Sequence, residues 1–447
     1  MVPRTFSLFA LALAVGACEV TPQDIETWKG TQRGPGKIVA VLVADEYSIE
    51  LRTTAAIALV EMNRDDTNAL RELGGALEQI PDPDRGRIVA GMVGKIREIL
   101  GGTEERPTQL AIRAKDAGFV IFPHSTGPDR DALQAVLLSW VLADFNGRFL
   151  LGENNSEKII RLIGAPAASA LVAALTPGQL AIEKITQLIV ELGDPATRAA
   201  ASAKLVGVAT AQAATPDGIT EPTLVGMHLV GGRPVVEYLL ALAAQDPPTD
   251  GTAAAKLART QLLSLTALES QVAAQDIDRL CAIGMNARLD ARVRDVAFDR
   301  LADLKNPAAI PRLWPLLAQT DQRLRWRGGE LILEIGGPAI VPEFLRKLPS
   351  GRDTEYLPEE IGGYGDRICE MRPPPVDAVR PFLTVDSWVD RLIAIQVIGR
   401  AGGRQDISTL QQLQADNTKI PGGEEGATVG KEARAALGRL QGAAAAP

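Results

Sequence analysis

The sequence predicts an all-α fold, a right-handed α-solenoid of about ten stacked helix pairs. Three observations carry that expectation. Apolar residues recur at three- and four-residue spacing, while Val, Ile and Thr alternation over strand lengths is scarce and Ala, Leu, Gln and Glu dominate. One stretch of the chain copies another at a shift of 31 residues, and 447 residues exceed a single ordinary core. With 46% hydrophobic and 23% charged residues there is ample apolar surface to bury, so disorder throughout is excluded. The balance of 47 Lys plus Arg against 55 Asp plus Glu, a net charge of -8, argues against nucleic acid as a partner, because backbone binding needs a basic surface. Two His and three Cys are too few for a His-rich metal site or a disulfide framework.

From the N-terminus, Arg4 precedes an uncharged apolar run from Phe6 to Val15. That run suits a signal-peptide core and is too short for the roughly 20 helical residues that cross a bilayer. It ends on Val15, Gly16, Ala17, Cys18, which resembles the lipobox of bacterial lipoproteins. The resemblance implies that residues 1–17 are a signal peptide removed on export and that Cys18 carries the lipid, leaving the membrane contacted through acyl chains alone. Loss of Arg4 would take the mature charge from -8 to -9. Glu19, where an inner-membrane retention signal would carry Asp, points by the same resemblance to the outer membrane, facing the periplasm. Residues 18–36, rich in Thr, Gln, Gly and Pro, read as a lipidated flexible tether without a core, able to reach about 60 Å when extended.

The body divides into divergent helical repeats over 37–286 and a clearer array over 287–440. Asp290 to Leu317 aligns with Asp321 to Leu348: Asp290 meets Asp321, Val293 meets Leu324, Arg294 meets Arg325, Leu301 meets Ile332, and Pro307, Ala308 and Pro311 meet Pro338, Ala339 and Pro342. The pattern returns after Arg391, with Ala394, Ile398 and Ala401, and after Arg52, with Ala55, Leu59 and Met62. Each unit reads as two helices, with Gly336 able to end one and Pro338 fitting the first turn of the next, where no amide donor is needed. This resembles the HEAT repeat, whose second helix begins after an Asp and carries a Val-Arg pair. The match is good over 290–348, fair over 36–66, 178–213 and 376–440, and poor elsewhere. An irregular insert is expected over 353–371, where Pro358, Gly362, Gly363 and Gly365 interrupt helical sequence, and a disordered tail over 441–447.

Candidate chemistry is sparse. Asp290 with Arg294, and Asp321 with Arg325, stand four apart and can pair within a helix, and Arg294, Arg325 and Arg391 can stack as a ladder between repeats. That ladder reads as structural. A partner-binding surface is the sharper alternative: Arg325, Trp326, Arg327 and Arg391 fall in one region with Tyr356, Tyr364 and Trp388, and these residue types serve often as anchors. Residues 281–447 hold 22 basic and 22 acidic side chains, so the whole excess of negative charge lies in the first 280. His124 lies near Ser125 and Asp129 in a Pro and Gly loop, without the Gly-x-Ser-x-Gly elbow that presents a nucleophile. His228 reads as a helix residue and Cys281 and Cys369 as unpaired thiols. Gly426 to Lys431 (GATVGK) misses the phosphate-loop spacing and lacks its Ser or Thr.

The expected function is therefore a membrane-tethered periplasmic scaffold that recognises a protein or peptide of the cell envelope, without metal or cofactor. Two alternatives stand beside it. Some HEAT-like proteins, the phycocyanobilin lyases among them, handle tetrapyrroles, which keeps a small-ligand binder or lyase-like enzyme open. A structural spacer within an envelope complex is the other.

Overall fold

The computed structural model describes residues 20–62, 68–101, 108–145, 155–348 and 358–445. Among the described residues the chain forms α-helices, short 3-10 turns and one isolated bridge between Lys419 and Thr428, with no strand. It divides into two compact units, which meet between Ala201 and Ser202. The first holds α1 (Pro22–Lys29), α2 (Gly34–Val43), α3 (Ile49–Glu61), α4 (Asn68–Gln79), α5 (Asp82–Leu100), α6 (Gln109–Ile121), α7 (Gly127–Ala143), α8 (Ser156–Ile163), α9 (Ala165–Ala174), α10 (Ile182–Leu192) and the start of α11 (Pro195–Ala213). The second continues through α12 (Glu221–Val230), α13 (Arg233–Ala243), α14 (Gly251–Leu268), α15 (Ile277–Met285), α16 (Ala291–Leu304), α17 (Ile310–Leu313), α18 (Gln322–Lys347), α19 (Pro358–Glu370), α20 (Val376–Val379), α21 (Trp388–Ala401), α22 (Ile407–Leu413) and α23 (Val429–Ala445).

Helices pack on near neighbours in the chain. In the first unit α2 lies on α3 and α4, α3 on α5, and α5 on α6 and α7; in the second α14 lies on α16, α16 on α18, α18 on α19, α19 on α21, and α21 on α23. Each pair buries its apolar stripe against the next pair, which is the packing of an α-solenoid. The stripes are those the sequence marked. Ala55, Leu59 and Met62 after Arg52, Val293, Ala297 and Leu301 in α16, and Ala394 and Ile398 after Arg391 are buried, while Ala401 at the end of the last stripe is half-buried. Burial of each larger aliphatic chain contributes about 1.5–3 kcal/mol.

Four local expectations are corrected. Most of the segment expected to be a flexible tether is folded. Thr21 caps α1 through a capping box with Asp24, and Ile25 is buried where α1 packs on α2 and α3, so this stretch is part of the core after all. The segment expected to be irregular from 353 is regular helix from Pro358 to Glu370, and its remainder before Pro358 lies outside the described residues. Its glycines are seats for neighbours. A side chain at Gly363 would overlap the Trp326 ring, and one at Gly365 would overlap Gln396. The tail is helical as far as Ala445 in α23. Finally, α18 is two helices joined at Gly337, whose φ of 59° and ψ of -156° break the spiral one residue after the expected Gly336, and Pro338 begins the second. The earlier copy is less regular there, because Pro311 and the extra Pro315 leave short α17 followed by a 3-10 stretch over Trp314–Ala318.

The α1–α2 turn is tight enough to test. Gly34 is buried, and a β-carbon there would overlap the backbone carbonyl of Trp28, which no side-chain rotation relieves. Gly34→Ala, ordinarily favourable in a helix by about 1 kcal/mol, is expected instead to destabilise the protein by about 2 kcal/mol or more, read from the urea midpoint by circular dichroism.

Candidate functional site

The arginines come first, because they decide which surface remains for a partner. Ser48, Asp194, Asp321 and Ser387 each cap a helix start, accepting from Leu51 N (3.2 Å), Thr197 N (2.7 Å), Arg323 N (2.9 Å) and Asp390 N (3.4 Å). Four residues beyond each cap stands an arginine that turns back to the element just ended. Arg52 Nε donates to Leu42 O at 2.9 Å, Arg198 Nη2 to Val190 O at 2.7 Å, Arg325 Nη1 to Gln319 O at 2.8 Å, and Arg391 Nη1 to Val385 O at 2.6 Å. The last carbonyls of a helix have no partner within it, and these guanidiniums supply one. Gln261 does the same for Ala243 O at 3.2 Å and Gln245 O at 2.7 Å.

Three of these arginines also reach forward into the next repeat. Arg52 meets Asp84 at 3.0 Å, Arg325 makes a two-point pair with Glu360 at 3.2 and 3.1 Å, and Arg391 meets Asp416 at 3.1 Å. The four-residue spacing therefore means cap plus clamp, not the intrahelical ion pair expected for Asp321 with Arg325. Asp290 also caps α16, at 2.8 Å from Arg292 N, but Arg294 departs from the pattern: its buried Nε has no hydrogen-bond partner. A second set of inter-repeat contacts runs through surface pairs: Arg323 with Asp295, Arg327 with Asp299 (2.5 Å), Arg367 with Glu334 (3.1 Å) and Arg400 with Asp366 (2.5 Å).

The proposed aromatic and arginine surface is mostly interior. Arg325, Tyr364 and Trp388 are buried. The Tyr364 hydroxyl donates to Arg325 O at 2.9 Å, its ring stacks on Trp326 at 5.1 Å, and Phe344 meets it edge-on at 5.2 Å. Trp326 and Arg327 are half-buried, and Arg327 is held between Asp299 and Glu330. Arg325, Tyr364 and Trp388 thus join α18, α19 and α21 to their neighbours and are unavailable to a partner. Tyr356 and Cys18 lie outside the described residues.

The remaining candidates are placed as follows. Ser125 is buried and its hydroxyl donates to Phe122 O at 2.7 Å, so it is not aimed at His124, whose pKa burial holds below the ordinary value. His228 Nδ1 contacts Ala267 O at 2.7 Å. Cys281 and Cys369 are free thiols, and burial pushes Cys281 up to about 11, far from a reactive thiolate. In GATVGK, Thr428 caps the start of α23 with no strand before it. Sequence reasoning missed Asp390, on the third residue of α21. It is buried, its Oδ1 has no hydrogen-bond partner, and burial raises its pKa to about 6.

What the clamps leave open is a groove of about 370 Å³ in the second unit. It lies between α19, α21 and α23. Leu392, Ile395 and Ile420 line it, with Arg400, Glu424, Glu432 and Arg439 at its polar positions. Gln396 fixes one wall by donating to Gly362 O at 2.9 Å and to Asp366 at 2.6 Å. These residues sit on three helices and on the loop that precedes α23, all between residues 362 and 439, and the signal for them in the sequence was the more balanced charge after residue 280.

No family model and no curated protein matches the sequence. Among solved structures the chain is similar to the karyopherin Kap121p bound to the SUMO protease Ulp1p, at 11% identity and a TM-score of 0.26, over 96% of this chain and 46% of that one. It is similar also to Kap121p bound to Pho4p, at 11% identity and a TM-score of 0.23, over 93% and 51%. The chain spans about half the length of these solved chains. The solenoid is established by the helix packing described above, not by these likenesses.

Two stability measurements follow. Arg325→Met leaves Glu360 buried without its partner, and the expected loss is about 3–5 kcal/mol in urea unfolding, with much of it recovered in Arg325→Met with Glu360→Met. Asp390 is ionised at neutral pH against its raised folded pKa. Stability linked to its protonation is fully present below pH 3.8 and is lost as pH rises to about 6. Asp390→Asn should flatten that window and raise stability at pH 7 by roughly 2–3 kcal/mol, checked by unfolding across pH 4 to 7.

Proposed function

We propose that the protein is a lipid-tethered scaffold of the cell envelope, anchored through Cys18 on the periplasmic face of the outer membrane, that binds a protein or peptide in the groove between α19, α21 and α23. The observation that carries this reading is the groove itself. It brings Leu392, Ile395 and Ile420 together with charges of both signs, Arg400, Arg439, Glu424 and Glu432, on a stack of helices whose clamping arginines, Arg325 and Arg391, are committed internally. A stack of helix pairs offers long faces to extended or helical segments of a partner and needs no cofactor to do so. The HEAT resemblance and the lipobox at Val15 to Cys18 support the class and the address. No helix among the described residues is long and apolar enough to cross a membrane, so the proposed attachment runs through the acyl chains.

A small-ligand reading has one observation in its favour: the groove volume falls within the range of roughly 300–1,000 Å³ typical of small-molecule sites. A pigment or metabolite co-purifying with the protein, and lost on Leu392→Glu, would favour it. The spacer reading requires a permanent stoichiometric partner on gel filtration after mild detergent extraction.

The test has two arms. Cys18→Ser is expected to release the protein from the membrane fraction, and continued flotation with membranes would sink the anchor. A photo-crosslinker at Glu424 is expected to capture one dominant envelope protein in intact cells, with yield falling several-fold on Arg439→Glu, whereas a crosslinker at Arg198 should not capture it. Equal capture from both positions would remove the groove from the interface.

A further inference from the structure

We infer that the N-terminal helix pair is a foot that stands on the bilayer, with Trp28, Arg33 and Lys37 against an anionic lipid surface. The inference rests on acylation of Cys18 as proposed above.

The first argument is length. Thr21 is the third residue after Cys18 and already caps α1, its backbone N–H and hydroxyl both donating to Asp24, at 2.9 and 2.7 Å. Three extended residues span about 10 Å. The expected tether of about 60 Å is thereby reduced to little more than the depth of a headgroup layer. The second is rigidity. Ile25, Ile38 and Leu42 are buried, and α1 and α2 both pack on α3, so the pair moves with the folded unit instead of swinging from it. An acylated Cys18 therefore holds the α1–α2 pair close to the membrane.

The third argument is the chemistry of that surface. Arg33 and Lys37 are exposed, and Lys37 Nζ stands 5.2 Å from the centre of the half-buried Trp28 ring. The acids nearby are occupied: Asp24 in the capping box, and Glu26 by Lys29 at 2.7 Å. Glu61, from α3, is held by the same Lys29 at 2.9 Å. Asp45 and Glu46 follow the other end of α2, eight and nine residues beyond Lys37 and so about 12 Å or more along the helix axis. Tryptophan favours the headgroup boundary, where its ring is buried and its N–H stays wet. Each cation near an anionic leaflet contributes about 1 kcal/mol. Two such cations and one ring are too weak to recruit the protein from solution. They suffice to orient a body that the anchor already holds at high local concentration.

The experiment uses the acylated full chain reconstituted into vesicles of phosphatidylethanolamine and phosphatidylglycerol with a headgroup-quencher lipid. In a Cys369→Ser background, with buried Cys281 retained, a fluorophore is placed on Gln32→Cys or on Gln405→Cys, both exposed positions. Quenching is expected to be several-fold stronger at position 32 than at 405, and to fall toward the 405 level when Arg33→Glu and Lys37→Glu are added, with the protein still floating with vesicles. Floating protein quenched equally at both positions, or quenched at 32 regardless of the charge reversal, overturns the foot while leaving the anchor intact. A chain that is not acylated and does not float overturns both.

Discussion

The structure depends on answering the last carbonyls of each helix where one repeat turns into the next. A stacked array buries these turns, and a carbonyl shut away from water without a donor costs roughly 1–3 kcal/mol. Arg52, Gln261, Arg325 and Arg391 supply the donors from the following helix, and three of them extend the same guanidinium to an acid one repeat further on. A single side chain thus closes the turn behind it and holds the repeat ahead. Arg325 is the most deeply engaged, because Glu360 and Tyr364 enclose it while Trp326 and Phe344 pack around the tyrosine.

That arrangement also shapes the binding surface. Because the clamping arginines face inward and those of the surface ladder are paired with Asp or Glu, the array's positive charge is largely spent on its own cohesion. A partner meets the groove between α19, α21 and α23, where Leu392, Ile395 and Ile420 stand with Arg439, Glu424 and Glu432. Glycine makes the close stacking there possible: Gly363 under Trp326, Gly329 under Tyr364, and Gly399 against Ala436 let helices approach where any side chain would collide.

At the opposite end of the chain the same economy of space gives residues 21–43 a fold. Thr21 with Asp24 starts a helix, Gly34 permits a turn that leaves no room for a β-carbon, and Ile25, Ile38, Val41 and Leu42 supply a small core. Thr, Gln, Gly and Pro composition reads as linker when counted, yet here Thr21 is a cap, Pro22 opens α1, and Gly30 and Gly34 stand at the turn between the helices.

The sequence by itself determined the helical class, the two-helix unit and its buried stripe. Apolar spacing and the recurring Asp followed by Arg are local properties that survive in any context: Ala55, Leu59, Val293, Leu301, Ala394 and Ile398 are buried as their periodicity requires. Tertiary structure decided what the arginines do. An Asp four residues before an Arg allows an ion pair on an isolated helix, but a cap competes for the carboxylate and buried carbonyls compete for the guanidinium, and both competitors exist only once the neighbouring helices are in place. It also decided the fate of the glycines in α19, since their propensity to break a helix is about 1 kcal/mol each and the packing of Trp326 and Gln396 over them outweighs it. The groove belongs to the same category, because Leu392, Ile420 and Arg439 meet only through the order in which helix pairs stack, which no single stretch of sequence encodes.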